Sequence, residues 1–221
     1  MDDAFLFSLR LSIQVATAAT IFVVLIGTGV AYLLATKHFR GKEFLDILVT
    51  LPLVLPPTVI GYYLIVVMGR NGLIGSVIYR WTGWSIVFTW YAAVLASFVV
   101  SLPLMIKTTR AAIESVDKSL INASYTLGHS ELTTALKVIL PLSKKGILAG
   151  TVLSFARAMG EFGATLMIAG NIPGKTDTVP IAIYTSASGG EWSKANLLVI
   201  VFTLISGLFI YIANKFSTRV L

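Results

Sequence analysis

Five long apolar stretches constrain the fold of this chain more than any other feature of its sequence. An α-helix needs about 20 mostly apolar residues, at about 1.5 Å rise per residue, to cross the hydrocarbon core of a bilayer. Only 12% of the residues are charged and the mean hydropathy is +0.86, whereas a soluble domain carries about 25% charge. The sequence therefore predicts an all-α integral membrane protein with about five transmembrane helices, at Leu9–Ala35, Leu45–Met68, Trp84–Ile106, Ile147–Ala169 and Ala195–Ala213.

A sixth apolar segment, around Thr178–Ala187, is short and rich in Ser, Thr and Pro. It predicts a re-entrant or surface segment, although a sixth span stays open. The first apolar stretch is too long for a signal peptide and follows no basic segment, so we expect it to be retained. The apolar segments are spread evenly over residues 8–216, which predicts one membrane domain.

The distribution of Lys and Arg predicts the orientation. Eleven of these residues fall on one side of the five spans and five on the other, and the cytoplasmic side normally carries the excess. The N-terminus is therefore expected outside and the C-terminus in the cytoplasm. The net charge of +7 lies in short loops between spans, which argues against a nucleic-acid-binding face. There is no cysteine, so thiolate metal sites and cysteine catalysis are excluded.

The connection Thr108–Lys145 is unusual because it is far longer than the 2–8 residues typical of helix bundles. Apolar residues recur in it at helical spacing on both sides of a turn at Gly128. We call this segment the platform. Amphipathic helices beside a membrane bundle favour a docking surface for a partner, and the alternative is that they only cap the bundle.

A motif inside the platform resembles the "EAA" loop of ABC importer permeases. It consists of Asn122-Ala123-Ser124, then Gly128, then Val138-Ile139-Leu140-Pro141, with the spacing of that family intact. Asn122 replaces the family's Glu, which removes any salt bridge at that position. Small side chains at Ala123 and Ser124 predict close approach of another protein, Gly128 predicts a bend, and Pro141 predicts a chain break.

A second stretch, Phe155–Ala164 followed by Gly170–Thr176, resembles the oxyanion branch of that family, the sulfate and molybdate permeases. The Asn171-Ile172-Pro173-Gly174 run, with Pro180 to Thr185, is more similar to the molybdate and tungstate members. The resemblance covers about Ser8 to Phe216. It implies a type I importer permease in the cell membrane that forms a homodimer. Two ATP-hydrolysing subunits would dock on the cytoplasmic side, and an extracytoplasmic oxyanion-binding protein would deliver the substrate.

Four residues are candidates for the translocation path. Arg157 and Glu161 are charges one turn apart within a predicted span, and intramembrane charges are costly and often functional. They could instead form an ion pair that only stabilises the helix. Thr58 and Ser101 are hydroxyl donors beside prolines that are expected to interrupt spans two and three: Pro52, Pro56, Pro57 and Pro103.

Small residues recur every fourth position along span four, at Gly146, Gly150, Ser154 and Ala158. Such a ridge lets helix backbones pack closely in lipid, either within one subunit or between two.

The sequence fits three other functions less well. A sulfate or thiosulfate permease is the nearest alternative. A secondary transporter usually shows internal repeats and several intramembrane acids, whereas the predicted spans hold Glu161 and no repeat. An enzyme is disfavoured because no Walker A, HExxH or Ser/His/Asp arrangement is present. We expect no catalytic residue, metal or cofactor on this chain, with ATP and Mg²⁺ used by the partner subunit.

Overall fold

The computed structural model describes residues 3–219, apart from the side chains of 212, 214 and 216–219. Its helices, numbered in chain order, are α1 Asp3–Thr36, α2 Lys42–Thr50, α3 Pro57–Met68, α4 Gly75–Thr82, α5 Trp90–Glu114, α6 Lys118–Thr126, α7 Glu131–Thr134, α8 Leu140–Leu142, α9 Lys144–Met159, α10 Gly163–Ala169, α11 Val179–Ser188 and α12 Trp192–Arg219. A 3₁₀ turn at Leu51–Leu53 follows α2, and a π-helical turn at Ala135–Ile139 joins α7 to α8. The described chain is all-α, as predicted.

Three helices are long and apolar enough to cross a bilayer: Asp3–Thr36, Trp90–Glu114 and Trp192–Tyr211. Two helix pairs meet the same criteria only together and are bent. Lys42–Leu53 and Pro57–Met68 form an angle of 116°, and Glu131–Leu142 and Lys144–Met159 form an angle of 70°. Counting each bent pair as one span gives up to five spans by length and composition within the described residues. The second pair joins part of the platform to α9, whereas the predicted fourth span covers α9 and α10.

The helix boundaries differ most from the prediction at the third and fourth spans. The third span begins at Trp90 and continues to Glu114, so it includes the first residues assigned to the platform. The fourth, predicted at Ile147–Ala169, consists of α9 and α10 with a break after Met159. Gly160 weakens the helix there, and the Glu161 carboxylate accepts a hydrogen bond from the Ala164 N–H and so caps a new helix.

The core of the bundle is the packing of α1 against α5, which run parallel. Near the N-terminal ends of both helices, the buried residues of α1 between positions 11 and 19 pack with those of α5 between positions 92 and 100. Near the C-terminal ends, Ala31 and Leu34 pack with Ile106 and Ile113. A parallel pair requires the chain to cross back between them, and α2–α3 supplies that return. At 34 residues, α1 is about 51 Å long, which exceeds the roughly 30 Å hydrocarbon core.

Helix α9 packs on α5 through the small-residue ridge. A Cβ added at Gly146 would lie 2.1 Å from the Ala112 Cβ, and one at Gly150 would lie 2.9 Å from the Met105 Sδ. The Ser154 hydroxyl donates to the Ser101 carbonyl at 3.3 Å. The ridge therefore serves packing within one subunit, one of the two uses that the sequence left open.

The prolines act differently in the two spans. Pro52 lies in the 3₁₀ turn, Pro56 precedes α3 and Pro57 begins it, so these prolines mark the bend as predicted. Pro103 lies inside α5, which continues without a break. The prediction that Pro103 interrupts this span is wrong, because close packing on both sides of α5 buries Pro103 and holds the helix together.

Helix α11 closes the end of the bundle opposite the platform. Val179 and Ala182 pack against Phe5 of α1 and Leu198 of α12. The Ser12 hydroxyl accepts a buried 2.8 Å hydrogen bond from the Val179 N–H, which satisfies one of the free donors at the start of α11. The predicted surface or re-entrant segment at Thr178–Ala187 is thus a short helix whose first turn is tied to α1.

Candidate functional site

Side-chain N-caps fix where the platform helices α6 and α7 begin. Asp117 caps α6 by accepting the Ser119 N–H at 2.8 Å, and this backbone hydrogen bond lowers the pKa of Asp117. Ser130 caps α7 by accepting the Thr133 N–H at 3.3 Å. Gly128 between them has φ of +80°, a conformation that residues with a Cβ rarely adopt. The predicted bend at Gly128 is therefore present.

Ser124 holds the two halves of the platform together. Its side chain is buried, and its Oγ lies 2.8 Å from the Thr134 Oγ1 and 3.1 Å from the His129 Nδ1. Asn122 and Ala123, in contrast, are exposed. The expectation that both small residues face a partner is wrong for Ser124, since α6 turns it towards α7, whereas for Ala123 it stays a prediction.

An apolar surface covers the outer side of the platform. Leu127 is 77% exposed and Leu132 is 69% exposed, although burial of such a side chain is worth about 1.5–3 kcal/mol. Pro141 at the end of the motif is exposed, whereas Leu140 is half-buried. We call the following set the platform surface: Leu120, Ala123, Leu127, Leu132 and Leu136.

A joint connects the platform to the membrane helices. Ile139, which is 2% exposed, packs with Leu34 of α1 and Ile113 of α5, and Ile121 of α6 packs on the same cluster. A cavity of about 500 Å³ opens beside the joint. Displacement of the platform would therefore be transmitted to the ends of α1 and α5.

An ion pair reinforces the joint. The Lys37 Nζ lies 2.6 Å from the Glu131 Oε2, and the Tyr32 hydroxyl donates to the other carboxylate oxygen at 3.3 Å. The hydrogen bond with Glu131 raises the pKa of Lys37. The sequence analysis missed this contact because 94 residues separate the two partners.

Arg157 and Glu161 form the predicted ion pair, with 2.8 Å between Nη1 and Oε2. The Glu161 side chain is 1% exposed, and its other oxygen accepts the Ala164 N–H at 2.7 Å. The Arg157 side chain is 32% exposed. Oε1 of Glu161 thus accepts a backbone hydrogen bond, while Oε2 lies beside the Arg157 guanidinium without hydrogen-bond geometry. The ion pair therefore bridges the break between α9 and α10.

The two hydroxyl candidates differ in accessibility. Thr58 is exposed in the first turn of α3. Ser101 is fully buried, and its hydroxyl donates to the Ser97 carbonyl at 2.5 Å. In this conformation Ser101 therefore contributes to packing between α5 and α9 and lines no open path, so the structure does not support the expectation of a pathway role.

Charged residues also meet where α2 lies against α5. The Asp46 carboxylate of α2 lies 2.7 Å from the Lys107 Nζ and 2.9 Å from the Arg110 Nη1 of α5. The spacing of these residues in the sequence gave no signal for this cluster.

The family model for the binding-protein-dependent transport system inner membrane component matches residues 24–220. The chain belongs to this family. The matched range includes the platform, the joint and both bent helix pairs of the permease. It is a multi-pass membrane protein, and its curated relatives are named as transport subunits rather than enzymes.

Several molybdenum permeases are similar to this permease over most of their length. It is 45% identical to the molybdenum transport system permease protein ModB of Haemophilus influenzae over 203 residues, covering 90% of this chain and 89% of the relative. It is 46% identical to ModB of Escherichia coli K12, covering 88% and 86%. A probable sulfate transport system permease protein of Chlorella vulgaris is 36% identical, covering 94% and 77%.

Solved ABC importers share the fold of the permease. A bacterial transporter involved in alginate import superposes with a TM-score of 0.81 at 13% identity, covering 99% of this chain and 80% of that one. An inward-facing methionine transporter superposes with a TM-score of 0.76 at 16% identity, covering all of both chains. These likenesses establish the importer permease fold.

Proposed function

We propose that this chain is the membrane permease subunit of an ATP-driven importer for molybdate or tungstate. The observation that carries the proposal is the platform surface, an exposed apolar patch on a helical unit that packs against α1 and α5 through Ile139. The choice of molybdate or tungstate is supported by two molybdenum permeases that are 45% and 46% identical to this chain. The transported ion would be a tetrahedral oxyanion with two negative charges.

ATP-hydrolysing subunits would dock on the platform surface. Its leucine side chains supply apolar contact area, and exposed Ala123 leaves room for a partner helix to approach. Nucleotide-driven movement would pass through Ile139 and the Lys37–Glu131 pair to the ends of α1 and α5. The permease itself would bind no cofactor, because ATP and Mg²⁺ belong to the partner.

The platform would lie in the cytoplasm and the N-terminus outside, which the excess of Lys and Arg on the platform side supports. Two permease copies would enclose the path, with the binding protein delivering substrate at the α11 end. Within one copy, Arg157 is neutralised by Glu161, and Thr58 is an exposed hydroxyl beside the bend. A dianion needs several charge-assisted donors for tight binding, so the membrane path would bind it weakly and the binding protein would set selectivity.

Uptake competition tests the substrate. The complete complex, with its ATPase and binding protein, is reconstituted in proteoliposomes with radiolabelled molybdate outside and ATP inside. We expect excess unlabelled tungstate to compete strongly and excess sulfate weakly. Equal competition by sulfate would favour the sulfate or thiosulfate alternative, for which the 36% identical relative is the supporting observation. Uptake driven by an ion gradient without ATP would contradict the proposal.

A further inference from the structure

The Asp46 carboxylate occupies an anion-binding arrangement of two cations. Lys107 approaches one carboxylate oxygen and Arg110 approaches the other. Arg110 also pairs with Glu114 at 2.7 Å through its Nε. A point charge beside a planar guanidinium suits any anion whose oxygen atoms can reach both donors, including a tetrahedral oxyanion.

This arrangement is open to exchange with solute. The Asp46, Lys107 and Arg110 side chains are 29%, 42% and 22% exposed, and ion pairs at such positions contribute little net free energy. A cavity of about 260 Å³, lined in part by Asp46, Thr50 and Lys107, opens at the same place. The Arg157–Glu161 pair differs, because its carboxylate is buried and also bound to a backbone N–H.

The same ion pairs position α2. No residue of α2 is buried, and Ile47 and Leu48 are more than half exposed. Leu45 and Val49 of α2 pack against the apolar cluster between α1 and α5, and the Asp46 ion pairs add a polar contact to α5. An anion that displaced Asp46 from Lys107 and Arg110 would therefore remove the polar contact while the apolar packing holds α2 in place.

We propose that Lys107 and Arg110 form a weak exit site for the transported oxyanion, which Asp46 occupies in this structure. The anion binds as Asp46 leaves, and Asp46 returns as the anion departs to the cytoplasm. This inference rests on the proposed function and adds to it two specific cations and an intramolecular competitor. The exchange makes release rapid, since the departing dianion never leaves two uncompensated cations behind.

Direct binding measurements test the site. Calorimetry on the purified permease at low ionic strength uses molybdate, sulfate and chloride as probes. Asp46→Asn removes the competitor and is expected to raise molybdate affinity by about fivefold to tenfold. Adding Lys107→Gln to this variant should abolish the gain, and salt should weaken the binding. Glu114→Gln is the matched control, because it removes a carboxylate from Arg110 while leaving Asp46 in place, and it should change the affinity little.

The outcomes separate this inference from the proposed function. Unchanged molybdate affinity in folded Asp46→Asn permease would show that the cluster is only an anchor for α2, even if the wild-type complex imports molybdate. If Asp46→Asn proves unstable, Lys107→Gln alone provides the test. It should slow ATP-driven uptake at saturating binding protein while leaving binding-protein docking unchanged, and a normal uptake rate would overturn the proposal.

Discussion

Ser124 and Thr134 share a buried hydrogen bond of 2.8 Å that closes the platform on itself. Both hydroxyls are shielded from solvent, with Thr134 fully buried. The pair fixes α6 against α7 and thereby sets the direction in which Ala123 and the exposed leucines face. A position that resembles a contact residue in the family motif thus has an internal structural role in this chain.

Removal of this hydrogen bond should loosen the platform. Ser124→Ala leaves the Thr134 hydroxyl buried without its partner, which costs about 1–3 kcal/mol. We expect faster amide exchange across α6 and α7 by hydrogen–deuterium exchange mass spectrometry, with α1 and α5 unaffected. Thr126→Ala is the control, because its hydroxyl is exposed and bonds only within α6. Equal exchange in both variants would contradict the assignment.

The Arg157–Glu161 pair should respond asymmetrically to substitution. Arg157→Met leaves a buried carboxylate without its cation, which we expect to destabilise the permease by about 3 kcal/mol. Glu161→Gln keeps an acceptor for the Ala164 N–H and leaves Arg157 partly solvated, so it should cost less. Thermal unfolding in detergent ranks the variants. A larger loss for Glu161→Gln would be inconsistent with this account.

The stability of the end opposite the platform should depend on pH through Asp177. Burial raises the pKa of Asp177 above its ordinary value of 3.8, while the Ser8 hydroxyl and Lys194 lower it less. A carboxyl with a raised folded-state pKa favours the folded state below its unfolded pKa, and this contribution is lost as the pH rises through the folded pKa. Its Oδ1 is buried without a hydrogen-bond partner within the described residues.

Asp177→Asn imitates the neutral form and should raise the melting temperature by a few degrees at pH 7.5. The gain should shrink as the pH falls through the raised pKa of the wild-type carboxyl, below which that carboxyl is protonated. Thermal scans of both proteins at several pH values measure the difference. A gain that does not vary with pH would mean that packing, rather than titration, explains the effect.

Thiol labelling should distinguish the two sides of the membrane. The native chain has no cysteine, so any labelling of this subunit comes from the single cysteine that is introduced. Lys175→Cys, in the exposed turn before α11, should react with an impermeant reagent in intact cells. Ser130→Cys, which is exposed on the platform but lies outside the platform surface, should react only after permeabilisation. The opposite pattern would reverse the proposed orientation.

The sequence predicted features that depend on local composition. Apolar length identified the spans, Pro52 and Pro56 predicted the bend, and Gly128 predicted the platform turn. The break after Met159 was missed because residues 160–169 remain apolar enough to continue a span. Its cause is the Glu161 cap, a side-chain contact that hydrophobicity does not report.

Contacts between distant charges could not be predicted from the sequence. Lys37 and Glu131 are 94 residues apart, and Asp46 and Lys107 are 61 apart. No helical period relates such positions, and each charge alone resembles an ordinary loop or interfacial residue. Only the parallel packing of α1 and α5, with α2 and the platform folded against it, brings these partners together.

In the proposed function, ATP-hydrolysing partners dock on the platform surface and so drive the passage of the oxyanion through the membrane. The most direct test measures ATP turnover and molybdate uptake together in proteoliposomes that contain the complete complex. Wild type and Ala123→Ser, which keeps a small side chain, should show substrate-stimulated hydrolysis and ATP-dependent uptake. Ala123→Arg should lose both by about tenfold or more, because a bulky charge blocks docking. Normal stimulated hydrolysis and normal uptake in Ala123→Arg would contradict the account.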